Sequence, residues 1–235
     1  MDTSSAAGER TADNGMPTQW TPPWQAPLRH RYFALRHGES EANVAGIIVA
    51  DPAVGTLRYG LTPAGRQAVA STAEQFVKDV LGAYGKDPGP PVILRVSDFL
   101  RTVDTANVFS EALKATGQVC LRELATDARE RFFGALEGRE NTRYQEVWER
   151  DSVDPRAEPH GAESVEAVWK RTTNLVAKME RELPVDSSLV VIVSHGDALQ
   201  ILQTAFHGIS PGGHRTLQHL NPAELRELTF HEAQE

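Results

Sequence analysis

Short apolar runs alternate along the chain with longer segments in which apolar residues recur every three or four positions. The short runs cover residues 32–35, 92–96, 119–121 and 189–193, and the last of them is rich in β-branched side chains. Runs of this length and composition predict buried strands. The pattern over residues 225–230 fits either a strand or a helix.

The segments between these runs predict helices. Apolar positions with helical spacing cover residues 62–84, 99–115, 141–150, 164–183 and 196–206. Two of the predicted starts carry typical capping residues. Thr62 comes directly before Pro63, and Ser164 comes directly before a long apolar stripe.

Strands that alternate with helices predict an α/β fold. We expect a three-layer sandwich, with a mostly parallel sheet and helices on both of its faces. Residues 28–235 are expected to form one domain. Residues 1–27 are rich in Ser, Thr, Gly, Ala and Pro, which is typical of a disordered or loosely docked tail. Trp20 and Trp24 in this tail either dock on the domain or mark a partner site.

Charge and cysteine content narrow the classes of function. The 235 residues include 32 acidic and 24 basic ones, a net charge of −8, so we expect no nucleic-acid partner and no membrane partner. No apolar run approaches the roughly 18 residues of a membrane span. The single cysteine, Cys120, excludes an intramolecular disulfide and a C-x-x-C metal site. It fits an intracellular, cytoplasmic location.

Reactive side chains follow three of the predicted strands. Arg36-His37-Gly38 follows the first, Ser97-Asp98-Phe99-Leu100-Arg101 follows the second, and Ser194-His195-Gly196-Asp197 follows the run at residues 189–193. The carboxyl ends of parallel strands lie at one edge of a sheet. We therefore expect two histidines and two arginines to meet there.

These residue types in one place indicate phosphoryl chemistry. Each guanidinium can bond two phosphoryl oxygens at once. A histidine at a glycine turn can attack phosphorus with one ring nitrogen while a main-chain carbonyl holds the other. Each segment alone also fits a surface turn or a helix cap, and only their joint placement favours catalysis.

Three other functions fit part of the pattern. Residues 208–212 match the serine-hydrolase motif G-x-S-x-G, but they follow a helix, so we interpret them as a loop. His37 and His195 are possible zinc ligands, but the neighbouring guanidiniums would repel a dication, so we expect no metal and no other cofactor. A catalytically silent protein that binds phosphorylated ligands or protein partners stays open.

Six segments, in this order, resemble the motifs of the histidine phosphatase superfamily, which has the phosphoglycerate-mutase-like fold. They are residues 36–43 (RHGES and Asn43), 61–67 (LTPAGRQ), 97–106 (SDFLRTVDTA), 129–138 (RERFFGALEG), 161–164 (GAES) and 194–196 (SHG). The resemblance extends from Tyr32 to Phe230. It implies that residues 225–230 form a strand, which we expect at an antiparallel edge of the sheet, and that residues 28–235 are a single catalytic domain.

The resemblance also implies a role for each site residue. His37 is the nucleophile that becomes phosphohistidine. Glu130 is the general acid that protonates the leaving alkoxide, and it then acts as the base that activates water. The phosphoryl oxygens are bound by four residues: Arg36, Asn43, Arg101 and His195.

Two features resemble the phosphatase branch of the family. The segment between Gly138 and Gly161 is short, whereas mutases have a long insertion there. The acid loop, residues 129–138, ends in Glu137-Gly138, whereas that of mutases usually ends in Gln-Gly. We therefore expect a hydrolase of small-molecule phosphomonoesters. A bisphosphate-dependent phosphoglycerate mutase is the alternative, and a homodimer stays open.

One segment departs from the family pattern. Residues 46–60 are longer and more apolar than the usual loop at this place. They are expected either to border the substrate pocket or to pack on the core. Arg58 and Arg131 are candidates for a second cationic site that would bind a doubly charged substrate.

Overall fold

The computed structural model of the chain describes residues 20–24, 27–85, 89–183 and 188–230. The predicted disorder of residues 1–19 lies outside the described residues. No helix within these ranges is long and apolar enough to cross a membrane. The strands are β1 (Arg31–Arg36), β2 (Val92–Val96), β3 (Cys120–Leu124), β4 (Leu189–Ser194) and β5 (Leu225–Leu228). The α-helices are α1 (Glu41–Ala45), α2 (Pro52–Gly55), α3 (Pro63–Phe76), α4 (Leu100–Ala115), α5 (Tyr144–Asp151), α6 (Val165–Glu182) and α7 (Gly196–Phe206).

The five strands form one sheet in the order β3-β2-β4-β1-β5. Neighbouring strands are parallel except β1 and β5, which are antiparallel. The mostly parallel sheet and the antiparallel edge strand are therefore confirmed. Because β2, β4 and β1 are neighbours, the three strand ends with reactive side chains lie side by side.

Side chains of β4 alternate between two apolar layers. Val191 and Val193 pack with residues of α3 and α4 on one face, whereas Val190 and Ile192 pack with residues of α6 and α7 on the other. Both faces of this strand are buried, which explains why its sequence is a continuous apolar run. This arrangement confirms the three-layer sandwich.

Both predicted helix caps are confirmed. The Thr62 hydroxyl accepts a hydrogen bond from the Gly65 N–H at 2.9 Å at the start of α3. The Ser164 hydroxyl accepts one from the Ala167 N–H at 3.3 Å at the start of α6. Each cap satisfies a main-chain donor that the first helical turn leaves without a partner.

The helix α3 and the strand β3 differ from their predicted bounds. The α-helix predicted over residues 62–84 ends at Phe76 and continues as a π-turn, Val77–Leu81, and a 3₁₀ turn, Gly82–Tyr84. The wider turn keeps Leu81 in the core. The strand predicted at residues 119–121 extends to Leu124, because β3 is an edge strand whose mostly exposed side chains need not be apolar.

The described part of the tail contacts the domain through its two tryptophans. Trp20 meets Trp169 of α6 edge-on, with ring centroids 5.8 Å apart. The ring of Trp24 lies 5.3 Å from that of Phe206 in α7. Both tryptophans therefore cover apolar side chains of the layer formed by α6 and α7.

The turn that follows β1 packs tightly against the start of α3 through two glycines. A Cβ on Gly38 would lie 2.7 Å from the carbonyl oxygen of Gly65. A Cβ on Gly65 would lie only 2.1 Å from the carbonyl oxygen of Glu39. These neighbours are main-chain atoms, which cannot rotate away as a side chain would. The start of α3 therefore supports the Arg-His-Gly turn by close contact.

Gly65→Ala is expected to lower the free energy of unfolding by about 1–3 kcal/mol, because the added methyl group forces the two segments apart. Urea denaturation measures the change. Gly82→Ala is the matched control, since Gly82 has a helical φ of −58° and a Cβ there would lie 3.6 Å from its nearest neighbour. The control should be neutral or stabilising by up to about 1 kcal/mol. Equal denaturation midpoints for both variants would show that the contact is not tight.

Candidate active site

The six predicted site residues come together at the carboxyl edge of the sheet. Five of them line one pocket of about 350 Å³, and the ring centroid of the sixth, His195, lies 5.3 Å from that of His37. The strand register explains this contact. Arg36 and Ser194 are paired at the ends of their strands, and the residue that follows each of them is a histidine. The five lining residues are Arg36, His37, Asn43, Arg101 and Glu130.

His37 is buried, and its own turn fixes the orientation of its ring. Nδ1 lies 2.7 Å from the carbonyl oxygen of Gly38. A carbonyl only accepts hydrogen bonds, so we assign the proton to Nδ1 and the lone pair to Nε2. Burial, followed by the positive charges of Arg101 and Arg36, lowers the pKa of His37 well below its usual value. The ring is therefore neutral at pH 7, and its Nε2 is a nucleophile.

His195 is also a neutral imidazole, but both of its ring nitrogens have partners. Its Nδ1 accepts from Arg101 Nε at 3.2 Å, so its Nε2 donates to the Ser97 hydroxyl at 2.8 Å. Burial and the charge of Arg101 lower the pKa of His195 well below its usual value. His195 therefore holds the guanidinium of Arg101 in this arrangement.

Two buried guanidinium N–H groups have no hydrogen-bond partner among the described residues: Nε of Arg36 and Nη1 of Arg101. The rest of each guanidinium is anchored. Arg36 Nη1 donates to the Leu220 carbonyl at 2.7 Å, and Arg101 Nη2 donates to the Val49 carbonyl at 3.0 Å. Buried donors are normally paired. Two unpaired, positively charged donors in one pocket suit an anion with several oxygens, such as a phosphoryl group.

Glu130 lies in the same pocket, beside the start of α7. Its Oε1 accepts from the N–H groups of Arg131 at 3.0 Å and Ala198 at 3.3 Å. Burial, followed by the negative charge of Asp197, raises the pKa of Glu130 to about 7. A carboxyl group with this pKa exchanges protons readily at neutral pH.

The acid loop is held in place by Arg171 of α6, which the sequence did not reveal. Its guanidinium donates to the main-chain carbonyls of Asp127 and Arg129 at 2.8 Å and of Glu130 at 3.2 Å. Glu163 of the GAES segment accepts from Arg171 Nε at 2.8 Å. The GAES segment therefore acts on Glu130 through Arg171, a link that no sequence spacing indicates.

Asn43 faces the pocket from α1, but its side-chain oxygen already has partners. Oδ1 accepts from the main-chain N–H of Ser40 at 3.0 Å and from the Ser40 hydroxyl at 2.9 Å, in the capping box of α1. The amide nitrogen is the donor that remains for a phosphoryl oxygen.

Neither candidate for a second cationic site lies in the pocket, so both expectations are corrected. The Arg131 side chain is fully buried, and it donates to both carboxylate oxygens of Asp151 at 2.6 and 2.8 Å. Adjacent residues of the acid loop point in opposite directions, so Glu130 faces the pocket while Arg131 faces the interior. Arg58 is exposed, and its guanidinium lies 5.2 Å from the ring centroid of Tyr59.

The two expectations for residues 46–60 both hold, for alternate residues. Ile47 and Val49 line the pocket, whereas Ile48 and Ala50 are buried against Phe133 and its neighbours. An extended segment sends successive side chains to opposite sides. The loop is therefore both a wall of the pocket and a layer of the core.

The sequence did not assign several other residues of the pocket lining. His219 Nε2 lies 2.8 Å from Arg36 Nη1, and burial together with that charge lowers the pKa of His219 to about 4. Tyr144 and Trp148 lie one turn apart on α5 and stack with ring centroids 5.3 Å apart. Their spacing was visible in the sequence, but it indicated a helix and not a pocket. Asn141 and Asp197 also line the pocket and were not assigned from the sequence.

Ser210 is not a serine nucleophile on an elbow between strand and helix. It precedes the 3₁₀ helix Pro211–Thr216, and its hydroxyl accepts from the Gly212 N–H at 3.3 Å. This confirms the interpretation of residues 208–212 as a loop. Within the described ranges, no three His, Cys, Asp or Glu side chains are grouped as a metal site would require.

Comparison with known proteins identifies the family and agrees with the fold. The chain belongs to the histidine phosphatase superfamily (branch 1), whose family model matches residues 32–235. A search of curated proteins gave no significant match.

Solved structures of phosphatases share the fold. A mycobacterial glucosyl-3-phosphoglycerate phosphatase, solved with VO3, is 26% identical with a TM-score of 0.65, over 84% of this chain and 90% of that chain. An alpha-ribazole phosphatase from Shigella flexneri is 21% identical with a TM-score of 0.60, over 84% and 89% of the two chains, and shows likeness in fold alone. Family membership and the mycobacterial neighbour support a phosphatase function.

Proposed function

We propose that the chain hydrolyses small-molecule phosphomonoesters through a phosphohistidine formed on His37. One observation carries the proposal: the neutral His37 ring shares its pocket with two unpaired guanidinium N–H groups, on Arg36 and Arg101. Glu130, with its raised pKa, supplies the proton that the leaving alcohol needs.

In the first step, Nε2 of His37 attacks phosphorus, and the bond from phosphorus to the ester oxygen breaks. Glu130 gives its proton to that oxygen, so the alcohol leaves neutral. Arg36 and Arg101 stabilise the charge on the three equatorial oxygens. Nδ1 keeps its proton and donates a hydrogen bond to the Gly38 carbonyl, which keeps the ring in place.

In the second step, a water molecule attacks the phosphohistidine. The Glu130 carboxylate takes a proton from this water as the new oxygen–phosphorus bond forms and the nitrogen–phosphorus bond breaks. Inorganic phosphate leaves, His37 is again a neutral imidazole, and Glu130 is again protonated.

The proposed phosphoryl contacts of Asn43 and His195 are less direct. Asn43 offers its amide nitrogen. His195 acts first by holding Arg101, and it reaches a phosphoryl oxygen itself only if its hydrogen bonds with Arg101 and Ser97 are exchanged.

Hydrolysis suits this pocket better than a mutase reaction. A mutase holds an intermediate with two phosphoryl groups, and the described pocket lining has no lysine or arginine besides Arg36 and Arg101. The mycobacterial neighbour, which is a phosphatase, supports the same choice.

Rapid quenching with a radiolabelled phosphomonoester tests the proposal. We expect label on the protein that survives alkali and is lost in acid, as a phosphoramidate bond requires, and peptide mapping should place it on His37. Incubation with 3-phosphoglycerate and a bisphosphate primer should release phosphate faster than it isomerises the substrate.

Two outcomes would contradict this function. Isomerisation that outruns phosphate release would identify a mutase. Neither label nor phosphate release across a broad panel of esters would favour a protein that only binds phosphorylated ligands.

A further inference from the structure

Beyond the residues that are proposed to bind the phosphoryl group, one wall of the pocket is built from uncharged side chains. We propose that it selects a phosphomonoester whose organic group is neutral and carries hydroxyl groups, and that it disfavours substrates with a second anionic group. This inference rests on the proposed function. The wall consists of Ile47, Val49, Asn141, Tyr144 and Trp148.

Both arginines of the lining are committed to the phosphoryl group. Arg101 is anchored to the Val49 carbonyl and shared between His37 and His195, and Arg36 is anchored to the Leu220 carbonyl. Neither guanidinium can turn to a second anion without losing these bonds. A phosphoryl dianion matches their two charges.

Two arginines near this wall, Arg215 and Arg143, are engaged in other interactions. Arg215 lies 3.8 Å over the ring centroid of Trp148, donates to Gln200, and does not line the pocket. Arg143, which directly precedes α5, donates to both carboxylate oxygens of Glu146 in that helix. His219, whose pKa is lowered to about 4, adds no positive charge at neutral pH.

Negative charge inside the pocket further disfavours a substrate with a second anionic group. Asp197 lines the pocket. Burial alone would raise the pKa of Asp197, but its interactions with His214 and Arg131 lower the pKa to about 2. A second anion on the substrate would lose part of its hydration and find no cation in return. Like charges placed together at a binding site weaken binding.

The same wall offers hydrogen bonds that suit a neutral alcohol. The ring of Tyr144 is held by Phe133, at 4.6 Å between centroids, and by Trp148. Burial raises the pKa of Tyr144, so its hydroxyl stays protonated. The amide of Asn141 supplies a further polar group, and Ile47 and Val49 provide apolar contact for carbon atoms.

Competition against 4-nitrophenyl phosphate hydrolysis tests the inference with a matched pair of esters. Glycerol 3-phosphate and 3-phosphoglycerate differ only in a hydroxymethyl group in place of a carboxylate. At pH 8, where both phosphoryl groups are dianions, we expect the inhibition constant of the glycerol ester to be lower by about tenfold or more. Inorganic phosphate serves as the reference competitor.

Two variants locate the effect. Asn141→Arg places a cation in the wall and should reduce the preference for the glycerol ester by about fivefold or more. Gln145→Arg adds the same charge on the exposed side of α5, outside the pocket lining, and should leave the preference unchanged.

The outcomes separate this inference from the proposed function. Competition by the glycerate ester that equals or exceeds that of the glycerol ester would overturn the inference alone, as would competition by neither ester. Equal effects of the two arginine variants would do the same. No hydrolysis of 4-nitrophenyl phosphate or of any other ester would overturn the proposed function, and the inference with it.

Discussion

Replacement of His37 by Ala is expected to lower kcat/KM for phosphomonoesters by about 10⁴-fold or more. The variant lacks the ring nitrogen that attacks phosphorus, and the other site residues are arranged around that attack. Arg36, Arg101 and Glu130 stay in place, but water must then attack phosphorus directly from the position of the missing ring. The residual rate reflects binding and charge stabilisation alone.

His37→Ala should remove the covalent label as well as the rate. Phosphate release measured at several substrate concentrations gives kcat and KM separately, and circular dichroism checks that the variant is folded. We expect kcat to fall while substrate binding persists, because the two unpaired guanidinium N–H groups remain.

His160→Asn is the control for the loss of an imidazole elsewhere. His160 is exposed, pairs with Glu146 at 2.9 Å and lies outside the pocket lining. Its φ of 57° is in the left-handed region, which Asn tolerates better than Ala. This variant should keep wild-type kinetics.

Added imidazole gives the sharper test of His37→Ala. The shortened side chain leaves space beside Arg101 Nε, which lies 3.1 Å from His37 Nε2 in the native pocket. Free imidazole that enters this space can attack phosphorus and leave as phosphoimidazole. Retention of more than about a hundredth of the activity without imidazole would mean that another group is the nucleophile.

The fold could be predicted because burial leaves a strong trace in the sequence. All six residues of β4 are buried, so its apolar pattern is unbroken. The positions of the neighbouring strand ends could then be predicted from the parallel arrangement of the sheet. β3 left a weak trace because most of its side chains face solvent at the edge. The convergence of His37, Arg101 and His195 therefore followed from topology, once the strands were placed correctly.

Side-chain directions and long-range contacts could not be predicted in the same way. Glu130 and Arg131 are adjacent, and only the tertiary structure shows that one faces the pocket and the other pairs with Asp151 in the interior. Arg171 looked like any charged residue of a helix, yet it organises the acid loop. Such roles depend on which distant carbonyl or carboxylate a side chain meets, and a single sequence does not encode that in its spacing.

Glu130→Gln is expected to lower kcat/KM for alkyl phosphates by about 10²–10⁴-fold, the usual contribution of a general acid. Gln keeps the shape of the side chain but has no proton to give to the leaving alkoxide. An aryl ester such as 4-nitrophenyl phosphate leaves as a stable anion, so its kcat/KM should change much less. Because kcat/KM reports the steps up to formation of phosphohistidine, the later role of Glu130 as a base affects kcat instead.

The pH dependence follows from the same proton. Glu130 must be protonated in the first step, so kcat/KM for alkyl esters should fall as pH rises above about 7, the pKa of Glu130. Below pH 7 the acid is protonated, and His37 stays neutral until well below its usual pKa, so a plateau is expected there. The phosphoryl group itself titrates near pH 6. The ratio of alkyl to aryl rates cancels that contribution.

Glu137→Gln is the control that distinguishes loss of the general acid from a disturbance of the acid loop. Glu137 belongs to the same loop, but its Oε2 accepts from the N–H groups of Ala50 at 2.8 Å and Asp51 at 3.0 Å. This control should keep both the fall in rate above pH 7 and the ratio of alkyl to aryl rates, even if it lowers stability. In Glu130→Gln the fall above pH 7 should disappear. If alkyl and aryl esters lost activity equally, or if the fall persisted in that variant, the proton would come from a group other than Glu130.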